Sequence, residues 1–167
     1  MRKGSRAQML QQVFVFILAG LIFILIIGYG YRAIQYFLER QEQVVLVDFR
    51  HDLEIGVEQV KRDFQSVRRL TLRLPSKFAG VCFFDYSRCA QVSNPQLESP
   101  NGLFRLGWAR DACVTGSENV FIVPRASERL DFPDVEVPEG YVCIPNEDGV
   151  RVRLEGTGRK ARVSAWS

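Results

Sequence analysis

Four cysteines, Cys82, Cys89, Cys113 and Cys143, and a single histidine, His51, hold most of the nucleophilic and metal-binding capacity of this 167-residue chain. Their spacing argues against catalysis. The cysteines are separated by six, twenty-three and twenty-nine residues, and none of these intervals forms the C-x₂₋₄-C knuckle of a structural zinc site. A Cys/His nucleophile would have to recruit His51, and a Ser/His/Asp set would need an elbow such as G-x-S-x-G, which is absent. Asp48 with Asp52 and Glu54 with Glu58 lie four apart, as paired acids on a helix would, yet Arg50, Lys61 and Arg62 interleave with them as on a solvated face. Asp131, Asp134 and Glu136 cluster between prolines without the residue order of a calcium loop. Gly156-Thr157-Gly158-Arg159-Lys160 has the glycines and cations of a phosphate loop, but it lies between two alternating segments and reads as a hairpin turn. No enzyme activity, metal, cofactor or small-molecule substrate is expected.

Two disulfides are the favoured use of the cysteines. Three connectivities are open. Cys82 and Cys143 sit in the apolar runs Val81–Phe84 and Tyr141–Ile144, whereas Cys89 and Cys113 border an irregular stretch, so pairing like with like is preferred.

The elements that would carry these residues begin with an anchor. From Ala7 to Tyr31 the chain runs without a charge, long enough at ~1.5 Å per helical residue to cross ~30 Å of hydrocarbon. Arg2, Lys3 and Arg6 precede it and only Arg32 closely follows, which places the N-terminus in the cytoplasm and the rest outside. Tyr29, Tyr31 and Tyr36 suit the far interface. The apolar run is too long for a secretory signal and has no A-x-A site after Ile27, so the anchor is expected to be retained. Residues 1–7 then form a cytoplasmic leader, 8–38 the membrane helix, 39–65 an amphipathic helix and 66–167 an extracytoplasmic β-rich domain.

The amphipathic helix follows from Leu46, Phe49, Leu53, Val57, Val60 and Phe64, spaced by three or four. From Val67 the period changes to two, with Leu70, Leu72 and Leu74 alternating against Arg69, Thr71 and Arg73. Further strands are expected over 79–85, 119–123 and 141–144, with a terminal hairpin across 150–154 and 161–165. Residues 90–118 read as a long surface loop, within which Leu103–Trp108 is either a short strand or a loop tucked against the core; Phe104, Arg105 and Trp108 are its candidate partner contacts, with a small core as the alternative use of the aromatics. Four basic residues and no acids precede Glu39, so the remainder carries eighteen basic against nineteen acidic residues, a net −1. That balance gives no nucleic-acid footprint.

A short basic leader, an apolar N-terminal helix continuing as an amphipathic one, then an antiparallel sheet with disulfides resembles a type IV pilin-like protein, most closely the small archaeal membrane-anchored proteins of that design. The likeness in sequence covers the leader and the apolar helix. Lys3-Gly4 and Arg6-Ala7 are similar to the basic-small pairs after which archaeal prepilin peptidases cut, which makes Gly4, Ala7 and Gln8 the candidate cleavage residues. Cleavage after Ala7 would put Gln12 at the fifth mature position, where many pilins have an acid. The resemblance implies a non-catalytic subunit in contact with membrane lipid that self-associates into a surface filament. Val13, Phe16, Leu21, Phe23 and Ile27 would lie along the assembly face. The alternative is a bitopic accessory protein that tethers a β-rich binding or structural domain without polymerising.

Overall fold

The structure, a computed structural model, describes residues 5–100 and 102–166, with the side chains of all of these except 5–12 and 38–42. It is α+β. One helix, α1 (Ser5–Lys61), is followed by β1 (Val67–Leu72), β2 (Gly80–Phe84), β3 (Gln96–Ser99), β4 (Gly102–Arg105), α2 (Gly107–Val114), β5 (Val120–Val123), β6 (Val135–Glu136), β7 (Tyr141–Pro145), β8 (Val150–Gly156) and β9 (Ala161–Ala165). The chain divides between Gln43 and Val44 into two compact units.

In the first unit, α1 contains a 25-residue segment, Val13–Phe37, long and apolar enough to cross a membrane. A helix suits that solvent because every backbone polar group of the segment is satisfied within it. The side chains of the segment are exposed: Val13, Phe16, Leu21, Phe23 and Ile27 are 56–69% exposed.

The second unit starts with the last turns of α1. Leu46, Phe49, Leu53, Val57 and Val60 form a buried stripe, as their spacing requires. The helix stops at Lys61, four residues before the expected end, and Phe64 stands 74% exposed rather than completing the stripe. Competing hydrogen bonds account for the stop. The Ser66 hydroxyl donates to the Asp63 carbonyl at 2.8 Å and to that of Val60 at 3.2 Å, Gln65 takes a left-handed φ of 64°, and its amide donates to Gly156 of β8 at 2.9 Å.

Two sheets follow. One has the order β1-β8-β9-β6, antiparallel except for the two-residue β6, which runs parallel to β9; the other has the order β5-β2-β7 and is antiparallel throughout. Their sequence patterns differ for a physical reason. β8 alternates buried and exposed because one face meets the core and the other meets water. β2 and β5 are buried on both faces and so read as unbroken apolar runs. Val81 and Phe83 of β2 join the helix stripe in one core, with Leu72, Val152, Leu154 and Val163; Cys82 and Phe84 join a second core with Leu97, Leu106, Ala109 and Phe121.

That second core corrects the reading of 90–118 as a loop. The segment contains the β3–β4 hairpin and α2, which supply Leu97, Leu106, Ala109 and Cys113 as a cover for the far face of β2 and β5. The Asn101-Gly102 dipeptide was the available hairpin signal.

Asn119 ties the two ends of this domain's centre together. Fully buried, it donates to the carbonyls of Phe132 (2.8 Å) and Phe84 (3.3 Å) and accepts from the Phe132 amide (2.8 Å). Asn119→Ala strands these backbone groups, and a loss of about 2 kcal/mol in denaturant-induced unfolding is expected. An unchanged midpoint would count against the bridge.

Candidate functional site

The cysteines and the clustered acids singled out for chemistry are engaged with partners. Cys82 and Cys143 face each other across β2 and β7, with Cα atoms 4.0 Å apart, and form one disulfide; Cys89 and Cys113, on a short turn of helix and on α2, form the other with Cα atoms 5.9 Å apart. No thiol is left free. His51 is exposed on α1. The three clustered acids are held apart by separate partners. Asp134 accepts from Lys61 at 2.7 Å, Asp131 accepts from the Tyr86 hydroxyl at 2.7 Å, and Glu136 lies 3.5 Å from Arg162. Lys61 also pairs with Glu58, and the hydrogen bonds it donates to Asp134 and then to Glu58 hold its ammonium above the usual lysine range. Burial, helped by the bond to Asp131, raises the Tyr86 phenol well beyond its ordinary value and keeps it protonated. Gly156–Lys160 turns between β8 and β9, with Thr157 and Lys160 closing it and Gly158 at a φ of 87°.

Asp85, at the end of β2, is a buried carboxylate. Burial alone would raise its pKa. The Ser87 hydroxyl at 2.6 Å, the amides of Ser87 and Val137 and the charge of Lys160 outweigh that and leave it lowered. A carboxyl lowered on folding stabilises the fold above its unfolded pKa of ~3.9, and the contribution disappears as pH falls through the folded value. Asp85→Asn is therefore expected to cost about 1–2 kcal/mol at pH 7 and to flatten the stability profile below pH ~4. Urea midpoints measured from pH 7 to 3 check both.

Phe104, Arg105 and Trp108 do not form a common loop surface. Phe104 and Arg105 belong to β4 and Trp108 to α2; the two aromatics pack against the second core, and Arg105 alone is exposed. Trp108 meets Phe121 edge-on at 5.5 Å, and its ring lies 5.2 Å from the Arg125 guanidinium, which pairs with the buried Glu118 at 2.8 Å. The aromatics complete a core, because the hairpin and α2 fold over β2 and β5 instead of looping away. Of the candidate cleavage residues, Gly4 lies outside the described residues, and so do the side chains of Ala7 and Gln8.

A different surface gathers functional groups. On the sheet β1-β8-β9 the buried positions are apolar, while Arg69 of β1, Arg151 and Arg153 of β8 and Arg162 of β9 are exposed. Arg153 lies 3.6 Å from Glu155 and Arg162 3.5 Å from Glu136. Arg69 and Arg151 have no carboxylate within ion-pairing distance among the described residues. The Arg69 guanidinium lies 5.1 Å from the ring of Trp166, whose amide donates to the Arg151 carbonyl at 3.2 Å. Trp166 and Arg151 also line a cleft of 230 Å³ with Pro145 and Glu147. Sequence reasoning found the outward alternation at Arg69 but not this assembly, because residues eighty positions apart meet only through the β1–β8 register.

Compared with protein-family models, curated proteins and solved structures, the chain matches none.

Proposed function

We propose that this protein is a non-catalytic envelope component held by a single membrane span, with its N-terminus in the cytoplasm and its disulfide-bonded domain outside. The observation that carries the reading is that all four cysteines are oxidised and all follow a 25-residue apolar helix segment whose side chains are exposed. Disulfides persist in oxidising compartments, and Arg2, Lys3 and Arg6 favour retention of the leader on the cytoplasmic side. The shallow clefts and the engaged acids and cysteines favour a structural or binding role.

The test is intact-mass spectrometry of the protein from its native membrane, before and after reduction and alkylation. A mass four hydrogens below the reduced form is expected for two disulfides. Four free thiols in the native protein would overturn the external placement.

A pilin-like filament subunit is the second reading, favoured by one feature: a single helix, α1, contains both the exposed apolar segment and the amphipathic stripe. In that role Val13, Phe16, Leu21, Phe23 and Ile27 would pack against other copies, and repeated heterologous contacts would build an open polymer. Loss of the first four or seven residues from the native mass favours it; an intact leader favours the tethered domain.

A further inference from the structure

We propose that the outer face of β1-β8-β9, with the cleft beside Trp166, binds a carboxylate-bearing polysaccharide. Three observations converge on an anionic, sugar-like ligand. Arg69 and Arg153 stand directly opposite each other across β1 and β8, and although Glu155 lies 3.6 Å from Arg153, Arg69 has only the Trp166 ring beside it, which leaves the pair short of negative charge. Arg69 and Arg151, on neighbouring strands, carry guanidinium groups without an ion-pair partner among the described residues, and a guanidinium fork matches a carboxylate with two parallel hydrogen bonds. The cleft then adds what a bare cationic face lacks. Trp166 and Pro145 give it apolar surface against which the C–H face of a sugar ring packs, Glu147 accepts from hydroxyls, and Arg151 stands at its edge for the acid group.

The spacing suits a polymer. From Arg151 at the cleft, Arg153 follows about 7 Å along β8 and Arg69 stands about 4.8 Å across from it on β1, so acid groups along one chain of sugars meet more than one guanidinium. A lipid headgroup surface would satisfy the arginines but leaves the apolar wall of the cleft unused. The glycan is therefore the occupant that uses every group present.

The experiment measures binding of polygalacturonate to the full chain in nanodiscs of zwitterionic lipid, with neutral dextran, polyglutamate and phosphatidylglycerol vesicles as comparison probes. Polygalacturonate is expected to bind; Arg151→Gln is expected to weaken it about ten-fold or more, the scale of one lost charge-assisted contact, and Trp166→Ala about ten-fold through loss of the apolar wall. Arg105→Gln, on β4, is expected to leave it within two-fold. Trp166→Phe keeps an aromatic wall and is expected to retain more binding than Trp166→Ala, which guards against a variant that merely misfolds. Equal binding of polyglutamate would reduce the face to a charge sensor and overturn the assignment to a sugar. Binding of the anionic vesicles but not of polygalacturonate would transfer the surface to lipid. Equal binding of dextran, or insensitivity to Arg151→Gln, would also overturn the proposal.

Discussion

Replacing Cys82 and Cys143 together by alanine is expected to lower the unfolding free energy of the domain by about 4 kcal/mol. The two residues are 61 positions apart, so the bond removes a large loop from the freedom of the unfolded chain. The bridge also sits in the second core, where Cys82 is fully buried between β5 and β7, so its loss leaves a small void on top of the entropic effect. The Cys89–Cys113 bridge closes a shorter span of 24 positions, and its double alanine variant is expected to lose somewhat less, about 3.5 kcal/mol. Guanidinium titrations of both variants, followed by tryptophan fluorescence, compare the two directly. A pair of midpoints unchanged from the parent protein would mean that packing alone holds the sheets, contrary to the reading here.

Gly156→Ala is the second large expected effect, a loss of roughly 3 kcal/mol. A Cβ at this position would run into the carbonyl oxygens of Val60, in the last turn of α1, and of Asp63, in the turn that follows it. Those atoms are backbone, and they are held in place by the bonds that join β8 to the turn, Gln65 amide to Gly156 carbonyl and Gly156 amide to Ser66 carbonyl, both at 2.9 Å. Relief requires moving the helix end away from the sheet. Gly56 offers the contrast. A Cβ there meets the side-chain methyls of Leu70 and Leu154, which can rotate, and alanine brings up to about 1 kcal/mol of helix propensity. Gly56→Ala is therefore expected to stay within about 1 kcal/mol of the parent, by the same offset between crowding and propensity. Thermal unfolding of both variants separates the cases. Equal losses would show that backbone contact at Gly156 is not the cause.

The elements legible in the sequence were those whose partner surface is continuous. Leu46 to Val60 repeat at helical spacing because a single stripe meets a core, and Val150, Val152 and Leu154 alternate because one face of β8 does the same. Phe64 misled because it keeps the spacing while Ser66 and Gly156 end the helix with hydrogen bonds, and neither Gly nor Pro marks the stop. β3 and α2 escaped, and β4 was legible only as one of two readings of Leu103–Trp108, because four-residue strands and an eight-residue helix are too short to show a period. For Trp108 and Phe104 the same shortness left a surface role and a core role both open, and the core role is the one the structure shows. The cationic face was hidden for another reason. Arg69 and Arg153 are neighbours only in the folded register, and no local pattern records that distance.

The position of Cys82 directly opposite Cys143 has a consequence for how the chain finds its register. Side chains in a strand switch faces with every residue, so sliding β2 by one position along β7 would send Phe83 to the face now held by Phe84 and turn the Cys82 sulfur away from its partner. Oxidation is thus possible in the native alignment and blocked in the neighbouring one. The covalent bond acts as a proofreading step, recording the correct pairing of two strands whose apolar runs would otherwise tolerate the wrong one.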